Sequence, residues 1–500
     1  MHRCAYNPRR LALVTAIAAL AAAAAGCAVG PDFHAPAPPQ NSHYVRGADP
    51  SATVAAPGPA GAAQKLVSDR DIPADWYGLF QSQALDALVR EALRDSPSIE
   101  AAKTALRSAQ ATYQAERGAL LLPGLDAQVG ATRESVPGAA FGAPSLPAST
   151  FTLYSASVNV SYRLDLFGSA RRQLEALRAQ SDYQRWELEA ANLSLTGNIV
   201  TTAFDVASLR EQLVAVTDVV SAETQQLKLV QSQFEAGGAA RADVLSQQAQ
   251  LAQAQAQTPA LRKALAQAQD RLAVLAGHTP DDETIPVFDL EHFSLPTELP
   301  LSVPAKLIRQ RPDVRAAEEL LHQASANVGV ATANLFPQLT LSGSIGSDSL
   351  TAGGLFGPGT AAWTAGGSLM QPLFHGGELR YKRRAAIEDL QHAAALYRQA
   401  VLQAIQDVAD TLHALESDAS NLRAQSDAEA AAAAALEISR KQYQAGGISL
   451  ITVLNAQRLY LQARQAQVQA QAVRYADSAA LFQALGGGWW NRDQTTGATQ

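Results

Sequence analysis

Two stretches of this sequence are very long and contain no proline. They run from Ser169 to Ala236 and from Gly376 to Ala445, about 70 residues each. Proline breaks helix interiors, whereas alanine and glutamine, which dominate these stretches, favour helix. Each stretch is therefore predicted to form one continuous helix about 100 Å long.

Each long helix is followed by a glycine pair in a similar context. The first is "FEAGGAARADVLSQQ" from Phe234, and the second is "YQAGGISLITVLNAQ" from Tyr443. Glycine readily adopts the left-handed conformation that ends a helix. A second helix is predicted after each pair, so the chain should contain two equivalent helical hairpins whose tips lie about 100 Å from the predicted strands.

The composition of the long helices predicts neighbours on both flanks. In the second one, an apolar stripe from Ile387 to Leu422 advances by three or four residues, with a mean near the coiled-coil value of about 3.5. A two-stranded coiled coil needs one seam and has charged outer faces. Charged residues make up only 17% of this chain and alanine is abundant, which suits helices in the wall of a tube.

Four segments have the pattern of β-strands. "YSASVNVSYRL", from Tyr154 to Leu164, alternates strictly between apolar and polar residues, as does Leu339–Ile345. Weaker candidates begin at Leu125 and Trp363. Such alternation over about ten residues is typical of outer-membrane barrel strands, although a half-buried sheet of a soluble protein shows it too. Glycine- and proline-rich loops at 135–149 and 348–362 would join the strands into two hairpins.

The N-terminus resembles a bacterial lipoprotein signal. Arg3, Arg9 and Arg10 precede the apolar run "LALVTAIAALAAAAA", which ends in "AAGC" at Cys27. Cys27 is the predicted lipid-attachment residue, and Ala28 after it favours the outer membrane. An ordinary signal peptide with an incidental cysteine is the alternative.

Other classes of function have little support. The net charge is −7 and the pI about 5.8, which argues against a nucleic-acid partner. No HExxH, GxSxG or Walker motif occurs, and the nine histidines are scattered. With its only mature cysteine acylated, the chain is predicted to be no enzyme and to hold no metal or cofactor beyond that covalent lipid.

The predicted strands, long helix, glycine turn and second helix occur twice in the same order, which predicts an internal two-fold repeat. In order, we predict a signal peptide (1–26), a lipidated extended arm (27–75), a first repeat (76–277), a connector (278–304), a second repeat (305–486) and a tail (487–500). The first repeat holds strands near 124–133 and 151–165 and helices 169–236 and 239–276. The second holds strands near 338–347 and 363–373 and helices 376–445 and 448–485.

Four strands per chain cannot close a barrel, and open edges are not tolerated in lipid. Two copies would give eight strands, whose interior is filled by side chains, whereas three copies would give twelve and leave a lumen. In that trimer the strand serines and Asn159 would line a wet channel.

In order and spacing, the motifs resemble the TolC-type outer-membrane factor family, in the lipoprotein branch that serves multidrug efflux pumps. The matching segments cover nearly the whole mature chain and include "CAVGPDFHAPAPP", "DWYGLFQSQALDALVREAL", "YRLDLFG", "MQPLFHGGELR", both glycine turns and "ALGGGWW". The resemblance implies a mainly helical fold with a β-barrel. A homotrimeric channel-tunnel would contribute four transmembrane strands per chain to a twelve-stranded barrel, with helical hairpins forming a periplasmic α-barrel.

The resemblance also implies function. The chain would be the outer-membrane exit duct of a tripartite pump, receiving small molecules from an inner-membrane RND-type transporter through a periplasmic adaptor. It would be anchored to outer-membrane lipid and extend into the periplasm. A type I-like protein secretion duct and a coiled-coil lipoprotein without a channel are the alternatives.

The tips are the predicted docking sites, because the family's adaptors dock helical hairpins there. A glycine turn permits close backbone approach, and Val–Leu pairs offer an apolar contact beside it, unless they only pack the hairpin. The docking candidates are Gly237, Gly238, Val244, Leu245, Gly446, Gly447, Val453 and Leu454.

The family closes its tunnel near the second tip with an apolar ring and an aspartate ring. Ile451 falls on the apolar position, but Asn455 falls where the aspartate is usual. Three asparagines do not repel one another as three aspartates do, so the usual cation sensitivity of the gate is in question. Tyr443 is predicted either to latch the turn or to pack beside it.

Overall fold

The computed structural model describes residues 28–68, 70–142 and 145–492 of the chain. None of the helices in these ranges combines the length and the apolar run that a bilayer-spanning helix needs. The structure is mainly helical, and its secondary-structure elements follow one another in two similar series.

The first series contains the long hairpin with the first glycine turn. Its elements are β1 (Lys65–Ser68), α1 (Gln83–Asp95), α2 (Pro97–Leu121), β2 (Gly124–Val136), β3 (Ser149–Leu164), α3 (Ser169–Glu235) and α4 (Arg241–Ala276). The Ser82 hydroxyl accepts a hydrogen bond from the Leu85 N–H and caps α1. α4 begins two residues later than predicted and continues through Pro259.

The second series ends in the hairpin with the second glycine turn. Its elements are β4 (Glu298–Leu301), α5 (Pro304–Gln310), α6 (Pro312–Ala333), β5 (Gln338–Ser349), β6 (Ala361–Met370), α7 (Glu378–Gln444) and α8 (Leu450–Ala484). α5 and α6 each begin at a proline, whose fixed φ and missing N–H suit the first helical position.

Strands β2, β3, β5 and β6 form an antiparallel sheet in that order. Residues directly opposite each other across an antiparallel pair share a face of the sheet. Asp126, Asn159, Ser344 and Thr364 form one such polar row. Ala127, Val158, Ile345 and Trp363 form the next row, which is apolar and lies on the other face. The sheet is therefore two-sided. Its exposed large apolar side chains lie on the face of the second row, except for Met370 at the end of β6, which lies on the polar face.

The structure divides into two compact units. The first comprises 1–36, 106–184 and 317–397, described from residue 28 onward, and it contains the four-stranded sheet. The second comprises 37–105, 185–316 and 398–500, described as far as residue 492.

In the first unit, the N-terminal arm is tied to α3. The Val29 N–H donates to the Phe167 carbonyl at 3.0 Å. Asp32 forms an ion pair with Arg172 at 2.5 Å, and Arg172 also contacts Glu175 at 2.8 Å. Arg172 lies in the first turn of α3, a position that by itself suits a solvated, basic rim, but its side chain is only 6% exposed because the arm covers it.

The second unit is organised around an aromatic core. Phe80, Phe204 and Tyr475 pack with ring centroids 5.0 to 6.4 Å apart, and Trp76 stacks on Phe482 at 5.4 Å. The short strands β1 and β4 pair in parallel beside this core. In the C-terminal tail, the Trp489 indole donates to the Gln310 carbonyl at 2.7 Å. These contacts bring distant parts of the sequence into one core around the middle of the long helices.

Candidate docking tips and gate

The two glycine turns have the same geometry. Gly237 has φ +77° and Gly446 has φ +75°, both in the left-handed region. In the first turn, the Gly238 N–H donates to the Gln233 carbonyl and the Gly237 N–H to the Phe234 carbonyl. The second turn repeats this pattern from Gly447 to Gln442 and from Gly446 to Tyr443. Both are Schellman motifs, which end a helix and satisfy its last carbonyls.

Space around the turns is open. A Cβ atom built on Gly237 or Gly446 would meet nothing within 4 Å. Glycine at these positions is therefore required by the backbone angle and not by crowding from neighbours. Both glycine pairs are exposed, so their backbone is accessible to a partner.

A small apolar cluster joins the two tips. Val230 of α3 and Leu450 and Leu454 of α8 are buried together, with Ala239, Val244 and Tyr443 packed against them. The Tyr443 hydroxyl donates to the Gln233 side-chain oxygen at 3.1 Å, which links α7 to α3. Burial raises the pKa of the Tyr443 phenol. Tyr443 thus combines packing with a hydrogen bond between the hairpins.

The structure changes the assignment of some predicted docking residues. Val453 is 1% exposed and Leu454 is 4% exposed, so both side chains pack the hairpin and neither presents a surface. They face inward because they share the helix face of Leu450, which lies three and four residues earlier. Leu245 is 54% exposed, and Val244 is partly buried. The docking surface left by these positions consists of the glycine pairs and Leu245.

The gate candidates Ile451 and Asn455 are both exposed, and they lie four residues apart on α8. Residues at this spacing share one helix face. Tyr443 lies apart from them, within the cluster that joins the hairpins. The structure therefore brings two of the three gate candidates onto one exposed face.

A buried carboxyl near the first tip was missed in the sequence. Glu223 of α3 is fully buried, and one of its carboxylate oxygens accepts from the Gln247 side chain on α4. Its other oxygen has no hydrogen-bond partner, and burial raises the pKa of the group. The seven-residue spacing of Glu223 from both Val216 and Val230, which are buried, is visible in the sequence and places all three on one face of α3.

The lipid-attachment candidate lies outside the described residues. Cys27 immediately precedes Ala28, the first residue that the structure describes. Among the described residues, no group of three or more His, Cys, Asp or Glu side chains is arranged to hold a metal ion.

Comparisons with known proteins identify the relatives of this chain. The family model for outer membrane efflux proteins matches residues 88–278 and 303–487. The pyoverdine export outer membrane protein OpmQ of Pseudomonas aeruginosa is 32% identical over 430 residues, which cover 84% of this chain and 89% of that protein. The toluene efflux pump outer membrane protein TtgF of Pseudomonas putida is 29% identical over 479 residues, covering 95% and 96%.

Solved structures show the same fold. The outer-membrane channel OprN superposes with a TM-score of 0.82 at 28% identity, covering 93% of this chain and 100% of that one. The MtrE outer membrane channel of Neisseria gonorrhoeae, solved in its open state, gives a TM-score of 0.78 at 27% identity and covers 94% and 100%. These matches confirm the TolC-type resemblance and the interpretation that the chain is a passive channel and not an enzyme. The chain belongs to the outer membrane efflux protein family and serves efflux at the outer membrane.

Proposed function

We propose that three copies of this chain form the exit duct of a tripartite efflux pump. The duct would pass small molecules from an inner-membrane transporter and a periplasmic adaptor across the periplasm and the outer membrane. The single observation that carries this proposal is the family match over both halves of the chain. The relatives named for efflux of toluene and solvents and for pyoverdine export support a small-molecule cargo over a secreted protein.

The sheet supports the trimer. Within the described chain, β2 and β6 pair on one side only, so each leaves an open edge. Open edges are not tolerated in lipid, and β6 of one copy would close the sheet by pairing with β2 of the next. Twelve strands would then enclose a lumen lined by the row that contains Asn159 and Ser344, with the apolar row of Val158 and Ile345 toward lipid.

The tips would receive the adaptor. Both glycine turns are exposed, so their backbone is accessible to the adaptor. Leu245 adds an apolar contact beside the first turn. An RND-type transporter would deliver substrate through that adaptor. Ile451 and Asn455, on one exposed face of α8, would narrow the tunnel near the second tip. Because asparagine carries no charge, this gate would respond little to cations.

The anchor would be a lipid on Cys27. The arm that follows Cys27 is docked on the first unit, where Val29 contacts Phe167 just after β3. This contact would hold the acylated end of the arm close to the end of the sheet, where the membrane surface is expected.

Deletion of the gene, followed by measurement of drug susceptibility and dye accumulation, tests the proposed function. We expect hypersensitivity that wild-type protein rescues and that the tip variant Gly446→Asp with Leu245→Asp does not. The matched control is Gly118→Asp with Val274→Asp, which makes the same two kinds of substitution away from the tips. A side chain at Gly118 would meet open space, and Val274 is an exposed residue of the same helix as Leu245.

Three results would count against parts of this proposal. Full rescue by the tip variant would refute docking at the tips. Equal failure of the control would show that the loss of rescue does not come from the tips. No change for any compound after deletion, with secretion of a protein lost instead, would favour the secretion duct.

A further inference from the structure

Two adjoining cavities lie along α3, α7 and α8 in the second unit. One has a volume of about 500 Å³ and the other of about 650 Å³. Val214 and the ion pair between Arg464 and Glu211, whose charged atoms are 2.6 Å apart, line both cavities. We call the pair of cavities the α3–α7–α8 groove. Both volumes lie in the range of small-molecule sites.

The groove has an excess of negative charge. Among its lining cations, Arg464 pairs with Glu211 and Arg210 pairs with Asp289 at 2.9 Å. Four other lining carboxylates have no ion-pair partner within the described chain. Among the lining cations, only Arg440 has no ion-pair partner there. These carboxylates belong to Asp218, Glu291, Asp427 and Glu429. A positively charged ligand would therefore be attracted.

Apolar side chains form part of the same surface. Val214 is exposed toward solvent, and Leu436 and Leu461 line the first cavity. A ligand that covered this surface would remove apolar area from water. An inorganic cation has no apolar surface with which to cover these side chains.

Two buried polar groups in the lining have no hydrogen-bond partner. The Gln457 side chain is 4% exposed and lines the first cavity, and its oxygen is unpartnered. The Ser426 side chain is 7% exposed and lines the second, and its hydroxyl is unpartnered. Buried polar groups normally have partners, so these two point to a donor supplied from the cavities.

We propose that the α3–α7–α8 groove binds an organic cation with an apolar body and N–H donors. The unpaired carboxylates attract its charge, Val214 and the leucines contact its body, and the Gln457 oxygen accepts from its N–H group. All of these residues belong to one chain, so binding requires neither adaptor docking nor the gate.

Fluorescence anisotropy of ethidium with the purified full-length protein tests the proposal. Ethidium is an aromatic cation with amino donors, and fluorescein is an aromatic anion of comparable size. We expect saturable binding of ethidium that weakens as salt is raised, and no saturable binding of fluorescein. Tetramethylammonium, which has the charge without the aromatic body or the donors, should not displace ethidium at equal concentration.

Paired variants locate the site. Asp427→Asn with Glu429→Gln should weaken ethidium binding about tenfold, since two nearby charges are lost. Glu388→Gln with Asp389→Asn removes two exposed carboxylates of the same helix outside the groove and should leave binding unchanged. Gln457→Met should weaken binding several-fold by removing the acceptor.

The proposal would be overturned by equal ethidium affinity in the two double variants, by absence of saturable binding, or by displacement with tetramethylammonium. Circular dichroism and gel filtration establish that each variant is folded. Should Gln457→Met fail to fold, the charge variants alone decide the outcome.

Discussion

At the scale of single residues, glycines in this chain serve different physical purposes. Gly446 is required because its φ is +75°, whereas Gly118 lies inside α2 without a left-handed angle. A Cβ at either position would meet nothing within 4 Å. Because neither position is crowded, substitutions at these two residues isolate the effect of the backbone angle.

Gly446→Ala should destabilise the protein by about 1 kcal/mol, because alanine is strained in the left-handed region. Gly118→Ala should stabilise it by about 0.5 to 1 kcal/mol, because alanine favours helix. Unfolding in denaturant, followed by circular dichroism, measures both. Equal effects of the two substitutions would contradict this explanation of the turns.

Glu223 is the residue at which pH should act near the first tip. Its folded-state pKa is raised by burial, so the folded protein holds this proton more tightly than the unfolded chain. Stability therefore falls as the pH rises above the unfolded value of about 4.3, and it levels off above the folded pKa.

Glu223→Gln removes this ionisation and keeps the shape of the side chain. The stability of this variant relative to wild type should be constant below about pH 4. It should increase as the pH rises from the unfolded to the folded pKa of Glu223. Thermal unfolding of both proteins from pH 3.5 to 8 measures the difference. A difference independent of pH would show that Glu223 does not titrate in the folded state.

At the scale of elements, the arm and α6 are linked by a chain of charged groups. Glu175 contacts both Arg172 and His322, at 2.8 and 3.0 Å, and His322 stacks on Phe33 of the arm at 4.3 Å. A hydrogen bond to Glu319, with a second to Glu175, raises the pKa of His322. Phe33 of the arm therefore stacks on an imidazole whose protonated form is favoured.

The arm should become less protected from proteolysis and hydrogen exchange as the pH rises through the folded pKa of His322. A histidine whose folded pKa is raised contributes stability at low pH, and this contribution is lost above the folded pKa. Limited proteolysis or hydrogen exchange of residues 28–34, measured at pH 5.5 and 8.5, detects this change. His322→Gln should abolish the difference between the two pH values. Its persistence in the variant would assign the pH response to another group.

At the scale of the whole molecule, the order of the strands determines how copies can assemble. β2 and β6 are separated by β3 and β5, so they lie about 14 Å apart in one chain at a strand spacing of about 4.8 Å. A disulfide needs Cα atoms within about 7 Å. A cross-link between β2 and β6 is therefore expected only between copies.

Three double-cysteine variants test this. Each carries a cysteine at Ala365 in β6, and the second cysteine replaces Leu125, Ala127 or Val129 in β2. At least one of the three should give covalent trimers on oxidation. Denaturing gels without reductant detect them. Each single-cysteine variant is the control and should give no ladder. Only dimers, or no cross-link in any combination, would argue against three copies closing one barrel.

The element pattern was readable from the sequence because it depends on local chemistry. Alternation in Tyr154–Leu164, the absence of proline in the long helices and the glycine pairs each act over a few residues. Their order also carried the resemblance to the family, which the matches over 88–278 and 303–487 confirm. The turn geometry at Gly237 and Gly446 follows from the same local rule, since only glycine tolerates that angle without strain.

Only the tertiary structure decided which side chains at the tips are accessible. Leu245 and Leu454 hold equivalent places in the two motifs, yet one is exposed and the other is buried against Val230. Likewise, Arg172 is covered because Asp32, 140 residues away in the sequence, packs on it. Local sequence determines which elements form, whereas burial depends on long-range packing of one element against another, and no single segment encodes that packing.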